Sequence, residues 1–199
     1  MTLLAAGLVS SARRYRGVSG RELARAANAS QPSLVQVERG EKDATAGRLE
    51  RLLRPLGYQL TVLPTRLGTA AAAAEDVRGF LIADDEPGAR RVIWQLASDL
   101  SSAGPALRVA LCVTPPATTG SGRFDALLAG VVEHSLALDA ANSVGRLPRP
   151  EWLDEPSRTL SEPWDVEPVP ALQPRARELT SASLRAHGVY LDPAELVNA

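Results

Sequence analysis

The run from Ser19 to Gly40, "SGRELARAANASQPSLVQVERG", leaves the backbone few choices. Ser19 followed three residues later by Glu22 is a capping box: the serine accepts an amide of the new helix while the glutamate reaches back to the amide of the cap. A helix therefore starts at Gly20. Asn28 enters the left-handed region at low cost and can end that helix in a tight turn. Ser30 then offers a second helix start, and Pro32 falls within its first turn, where a missing N–H costs nothing. Gly40 stops it. Leu23, Ala24 and Ala27 on the first helix and Leu34 with Val37 on the second sit at helical spacing, so both helices bury a face.

Flanking segments supply what those faces pack against. Leu4, Leu8, Ala12 and Tyr15 fall at spacings of four, four and three, predicting a helix that ends near Gly17. A further helix is expected from Thr45 to Leu56, with Leu49, Leu52, Leu53 and Leu56 inward and Gly57 as its stop. "YQLTVL", Tyr58 to Leu63, alternates like a strand. Two short helices joined by a three-to-four-residue turn and packed onto flanking helices form a helix-turn-helix. Its second helix lays N-terminal side chains in the DNA major groove, and the first sets its positive end against a phosphate. On this reading Ser30, Gln31, Ser33 and Gln36 face DNA, because glutamine can pair bidentately with the N6/N7 edge of adenine. Arg21, Arg39 and Lys42 hold phosphates and fix register. The plainer alternatives are that the glutamines are solvated surface and that Arg39 pairs with Glu38 or Glu41; Glu38 itself reads as structural.

Charge is distributed in the same sense. Residues 1–66 carry eleven Lys/Arg against five Asp/Glu, a balance of +6, so with the whole chain at −1 the remainder carries −7. A basic module joined to an acidic one suits a nucleic-acid binder with a separate partner or effector domain, although two solvated charged faces would give the same totals. "TRLGTAAAAAE", Thr65 to Glu75, marks the seam. The expected organisation is a DNA-binding domain at 1–66, a linker or helix start at 67–75, and a helical partner- or effector-binding domain at 76–199.

The second half reads as mainly α. "EDVRGFLIADDEPGARRVIWQLASDLSSAG" predicts a helical hairpin turning at "DDEPG". "ALRVALCVTPP" is ambiguous between a short helix and a buried strand. "RFDALLAGVVEHSLALDAA" predicts a helix with Phe124, Leu127, Leu128, Val131, Val132 and Leu136 inward. Residues 146–174 carry seven prolines, Trp152, Trp164 and six acids with no helical periodicity, which predicts an extended strap. Trp152 and Trp164 either anchor that strap to the helices or offer a partner protein an acidic, aromatic surface. Beyond it come a short helix, an extended "HGVYLD" and a last turn capped by Asp192.

Enzymatic chemistry finds little material here. With one cysteine and two histidines the chain lacks the ligands of a zinc site, and no cofactor or metal is expected. "TTGSGR", Thr118 to Arg123, lacks the lysine of a phosphate loop and reads as a flexible loop. His134 follows Glu133 but points about 100° away from it on a helix, so it reads as structural. Cys112 reads as a small buried hydrophobe. A lone thiol, and an N-terminal apolar run too short for a signal or a membrane span, predict a cytoplasmic protein with no membrane partner.

"SGRELARAANASQPSLVQVERGEKDATAGRLERLLRPLG" resembles the XRE/Cro-type helix-turn-helix of bacterial and phage regulators, in which a serine–glutamine pair opens the recognition helix and "ERG" closes it. The resemblance covers roughly residues 4–63. Gly20 departs from it, standing where a glutamine that touches the DNA backbone is frequent, and Val35 stands where serine is common. The order of helices and then a strand is similar to the HipB-like antitoxin branch, which implies a homodimer paired through "YQLTVL". The "PxWL…EP…PW" segment followed by "HGVYLDPAEL" resembles the C-terminal region of actinobacterial XRE-type proteins that are similar to antitoxins encoded beside nucleotidyltransferase-like toxins. That implies an autoregulatory repressor with a toxin as partner; a repressor whose second half senses a small molecule is the alternative.

Overall fold

The structure, a computed structural model, describes residues 2–60, 62, 66–138 and 147–196, with side chains from Gly7 onward. The chain divides into two compact units, Met1–Arg66 with Thr114–Ala117, and Leu67–Val113 with Thr118–Ala199. Helices dominate both.

The N-terminal unit contains α1 (Thr2–Tyr15), α2 (Gly20–Ala26), α3 (Gln31–Glu38) and α4 (Ala46–Leu53), the last continued by a 3-10 turn at Arg54–Leu56. The capping box at Ser19 and Glu22 is formed in full, and Thr45 caps α4 through the Arg48 amide. Asn28 takes the left-handed conformation at φ 50°, and Gly57 does so at 83°. Ser30 departs from expectation: it occupies the cap position of α3, but its hydroxyl makes no capping bond. Pro32 removes one of the amides that such a cap commonly serves. Val9, Ala12, Leu23, Ala24, Ala27, Leu34, Val37, Leu52, Leu53 and Leu56 form the core, with Leu8, Leu49 and Tyr58 packed at its edge. Leu4 lies outside the residues whose side chains are described.

Among its described residues the expected strand at Tyr58–Leu63 is not formed. Tyr58, Gln59, Leu60 and Val62 are irregular, while Thr61 and Leu63 lie outside the described residues. A strand needs a neighbour for its amides, and "ALRVALCV", the segment left open between a short helix and a buried strand, is helical. It forms α7 (Pro105–Cys112), started by Pro105 in its first turn.

In the second unit, α5 (Ala70–Ile82) and α6 (Glu86–Ser102) make the hairpin expected from the sequence. The alanine run is the first turns of α5, capped by Thr69 and buried at Ala70, Ala71, Ala73 and Ala74. Asp84 turns the chain at φ 58°, and Asp85 caps α6 through the Gly88 amide. α8 (Gly122–Ala137) is buried on all sides from Phe124 to Val132, which makes it the central helix of this unit. α10 (Ala182–Ala186) crosses it closely at Gly130, where a Cβ would stand 3.0 Å from Leu184 Cδ2.

The Pro-rich strap is less extended than its composition predicts. Glu151–Asp154 and Pro156–Arg158 are 3-10 turns, and Trp164–Asp165 (β1) pairs in parallel with Val189–Tyr190 (β2), Trp164 opposite Val189. Proline at the first position of a short turn forfeits no bonded amide, so the prolines punctuate the strap without keeping it straight. Arg146 and the seven residues before it lie outside the described residues. α9 (Gln173–Leu179) and a 3-10 turn at Pro193–Leu196 complete the unit.

Candidate nucleic-acid interface

Each face of α3 has a distinct composition. Leu34 and Val37 are fully buried, while Gln31, Pro32 and Gln36 are exposed. The buried pair fixes the rotation of the helix about its axis, so the two glutamines are set on the solvent side by packing two and three residues away. Burying two such side chains is worth about 3 to 6 kcal/mol, enough to hold that rotation against thermal motion.

A charged pair holds the C-terminal end of α3. Arg13 of α1 donates from Nε to Glu38 Oε1 at 2.7 Å and from Nη2 to Glu38 Oε2 at 3.0 Å, while its Nη1 reaches the Val18 carbonyl at 3.1 Å. The Glu38 hydrogen bond raises the Arg13 pKa above its ordinary value. This bidentate geometry confirms Glu38 as structural and leaves Arg39 to the other partner considered, Glu41, at 3.7 Å on the surface. The turn after α3 is closed by the Gln36 carbonyl, which accepts the amides of Glu41 and Lys42 at 2.9 and 3.1 Å. Lys42 and Arg21 are exposed.

Ser33 and Ser30 sit differently from the glutamines. Arg48 of α4 donates from Nη2 to the Ser33 carbonyl at 3.1 Å and to the Ser33 hydroxyl. That contact occupies the oxygen of Ser33 and leaves its proton to be donated elsewhere. Ser30 is exposed at the end of α3. Together Ser30, Gln31, Ser33 and Gln36 lie along one short helix, with Arg21 at the start of α2 and Arg39 and Lys42 in the turn beyond α3. The sequence offered no reason to single out Arg48. Its partner is fifteen residues away and no helical spacing relates them.

The two tryptophans expected at a partner surface separate. Trp152 is 1% exposed, and its indole N–H donates to the Cys112 carbonyl at 2.9 Å. It is a core residue, and its side chain has no face left for a partner, which corrects the partner-binding role expected for it. Trp164 is half-buried, 5.7 Å from the Phe124 ring centre, with the guanidiniums of Arg90 and Arg123 at 5.7 and 5.8 Å from its own.

Buried polar groups that the sequence did not announce organise the same unit. Arg108 donates to the carbonyls of Leu100, Ala103 and Ser135 at 2.6, 2.9 and 3.1 Å, satisfying the open end of α6. Asp125 accepts the Thr118 hydroxyl and the Thr119 amide at 2.6 and 2.7 Å, which pins the "TTGSGR" loop expected to be flexible. His187 sets Nδ1 against the Arg158 carbonyl and Nε2 against Glu133, both at 2.7 Å. The hydrogen bond from His187, aided by Arg149, brings the Glu133 carboxyl down to about 2. Burial lowers the His134 pKa and pushes the Cys112 thiol up to about 12, so that thiol is inert. Among the described residues no group of three or more His, Cys, Asp or Glu could hold a metal ion, and no helix is long and apolar enough to cross a membrane.

In comparison with known families, residues 10–63 match the family described as Helix-turn-helix. No curated protein and no solved structure matches the chain.

Proposed function

Taking as premise that residues 10–63 are a helix-turn-helix DNA-binding domain of the XRE/Cro type, we propose that this protein is a sequence-specific transcriptional repressor acting as a homodimer on the DNA upstream of its own gene. The observation that carries the proposal is α3: two exposed glutamines on a helix whose opposite face is fully buried. Gln31 and Gln36 read base edges, Ser33 donates its hydroxyl proton, and Arg21, Ser30, Arg39 and Lys42 hold the backbone. A domain of this size reaches few bases, and two half-sites one helical turn apart supply the missing specificity. The segment from Tyr58 onward, with Leu60 and Val62 exposed, pairs with its copy across the two-fold axis.

The test is a mobility-shift titration of the full chain on its upstream region against an unrelated duplex of equal length. Preference for the upstream region is expected, and Gln31→Ala with Gln36→Ala should reduce that preference without lowering the melting temperature. Equal binding to both duplexes by the unaltered protein would sink the proposal. Equilibrium sedimentation at micromolar concentration checks the dimer.

For the acidic second unit we propose a role in neutralising a toxin protein, in keeping with the family resemblance of its last residues. Pull-down of neighbouring gene products by the full chain tests this. A groove of ≈350 Å³ between α5 and α6, walled by Ala72, Ala73, Phe80 and Leu96 with Asp76 and Asp99 at its polar side, favours the second reading, in which this unit senses a small molecule.

A further inference from the structure

A polar pocket of ≈180 Å³ lies beside the turn that joins α2 to α3. Asn28, Ser30 and Ser33 line it from the turn and the recognition helix, and Arg48 and Arg51 line it from α4. Two arginines line this space and no acidic residue does. Three arginines elsewhere in the unit meet acids, Arg13 on Glu38, Arg39 on Glu41 and Arg54 on Glu50. Two like charges around one small polar space repel each other, and an anion between them removes the repulsion.

Other features of the pocket favour an anion too. Arg48 is fixed by its bonds to the Ser33 carbonyl and hydroxyl, so its charge is held at the wall instead of swinging into solvent. The Ser30 hydroxyl, which does not cap α3, can donate into the space. α3 begins at the same place, and its N-terminus adds a partial positive charge. At about 30 Å³ per water molecule the volume admits a phosphate group together with its residual hydration.

We infer that this pocket seats a backbone phosphate of duplex DNA, with Arg51 and Ser30 meeting its oxygens against the wall that Arg48 forms. The inference rests on the DNA-binding reading and adds an anchor beside the recognition helix to those at Arg21, Arg39 and Lys42. It fixes the depth of α3 in the groove from the side of its N-terminus, where the base-reading side chains begin.

A backbone contact carries no sequence information, so a duplex of arbitrary sequence serves as the probe. Binding of the full chain is measured by fluorescence anisotropy over a potassium chloride series, for the unaltered protein and for Arg51→Gln, Arg54→Gln and Ser30→Ala. Each phosphate neutralised contributes about 0.9 to the slope of log K against log salt. Arg51→Gln should flatten the slope by about that amount and weaken binding several-fold; Arg54→Gln, the same charge change one turn away and outside the pocket, should leave the slope in place. Ser30→Ala should weaken binding with the slope unchanged, since it removes a neutral donor. Should Arg51→Gln fail to fold, Arg51→Lys replaces it, with the slope kept and the affinity lowered because lysine lacks the two-pronged geometry. An Arg51→Gln slope equal to that of the unaltered protein, or an equal loss from Arg54→Gln, overturns the pocket and leaves DNA binding standing. If the unaltered protein binds no duplex at any salt concentration, the DNA-binding reading fails as well.

Discussion

The two units keep their charges in opposite places. In the N-terminal unit the core cluster is apolar and Ser11 is the only polar residue buried among those described, while the cations stand at its rim or on its surface, where a polyanion can reach them. In the second unit Arg108, Asp125, Arg158 and His187 are buried, each bonded to groups far along the chain. The lesson is one of division of labour: a unit that keeps its charges outside can spend them on a ligand, while a unit that buries them has used them to hold its own chain together.

The strongest way to break this contrast is at Trp152. If its indole is core and not interface, Trp152→Ala should destabilise the second unit by about 3 to 5 kcal/mol. All three tryptophans, Trp94, Trp152 and Trp164, lie in that unit, so denaturation of Trp152→Ala followed by fluorescence of the other two reports on it selectively. Trp164→Ala, at a half-buried ring, should cost much less. Equal costs at the two positions would show that the strap is not differentiated into a buried and an open tryptophan.

Arg108 comes next. Replacing it with leucine keeps an apolar stem but leaves the carbonyls of Leu100, Ala103 and Ser135 without their donor, at about 1 to 3 kcal/mol for each group left buried and unbonded. The midpoint of denaturation should fall clearly. An unchanged midpoint would mean that water replaces the guanidinium, and that the buried charge is not what ties α6 to α8.

In the N-terminal unit the corresponding substitutions should act on the ligand and spare the fold. Gln31→Ala and Gln36→Ala should each cost about 1 to 3 kcal/mol of discrimination between the preferred duplex and one altered at the contacted base. The circular dichroism melt should not move. Ser19→Ala does the reverse, with about 1 kcal/mol lost from stability through the missing cap and base preference retained; a change in preference would mean that α2 also touches bases.

A further effect concerns acid. The Glu133 carboxyl is drawn from its ordinary 4.5 to about 2 by His187 and Arg149. A carboxyl whose pKa is lower in the folded state contributes stability that is complete above its unfolded value and disappears as pH falls through the folded one. The second unit should therefore lose stability between about pH 4.5 and pH 2, and Glu133→Gln, lower in stability at neutral pH, should show a flatter profile across that window. Identical profiles for the two proteins would remove Glu133 from the account.

What the sequence determined by itself is the N-terminal unit up to Gly57. The capping box at Ser19, the turn at Asn28, Pro32 in the first turn of α3 and the leucines of α4 each act within four residues of themselves, and a local rule is legible in a local string. The outward position of Gln31 and Gln36 followed from the same spacing. Only the tertiary structure decided the rest. Among the described residues the segment at Tyr58 has no strand neighbour, because pairing depends on a second segment and not on alternation alone. The indole of Trp152 went to the Cys112 carbonyl forty residues away, Glu133 met His187 across fifty-four, and Arg48 reached back fifteen to Ser33. Such partners are chosen when packing brings distant backbone together and leaves polar groups that must be bonded once water is gone. Their separation in sequence carries no period from which they could have been read.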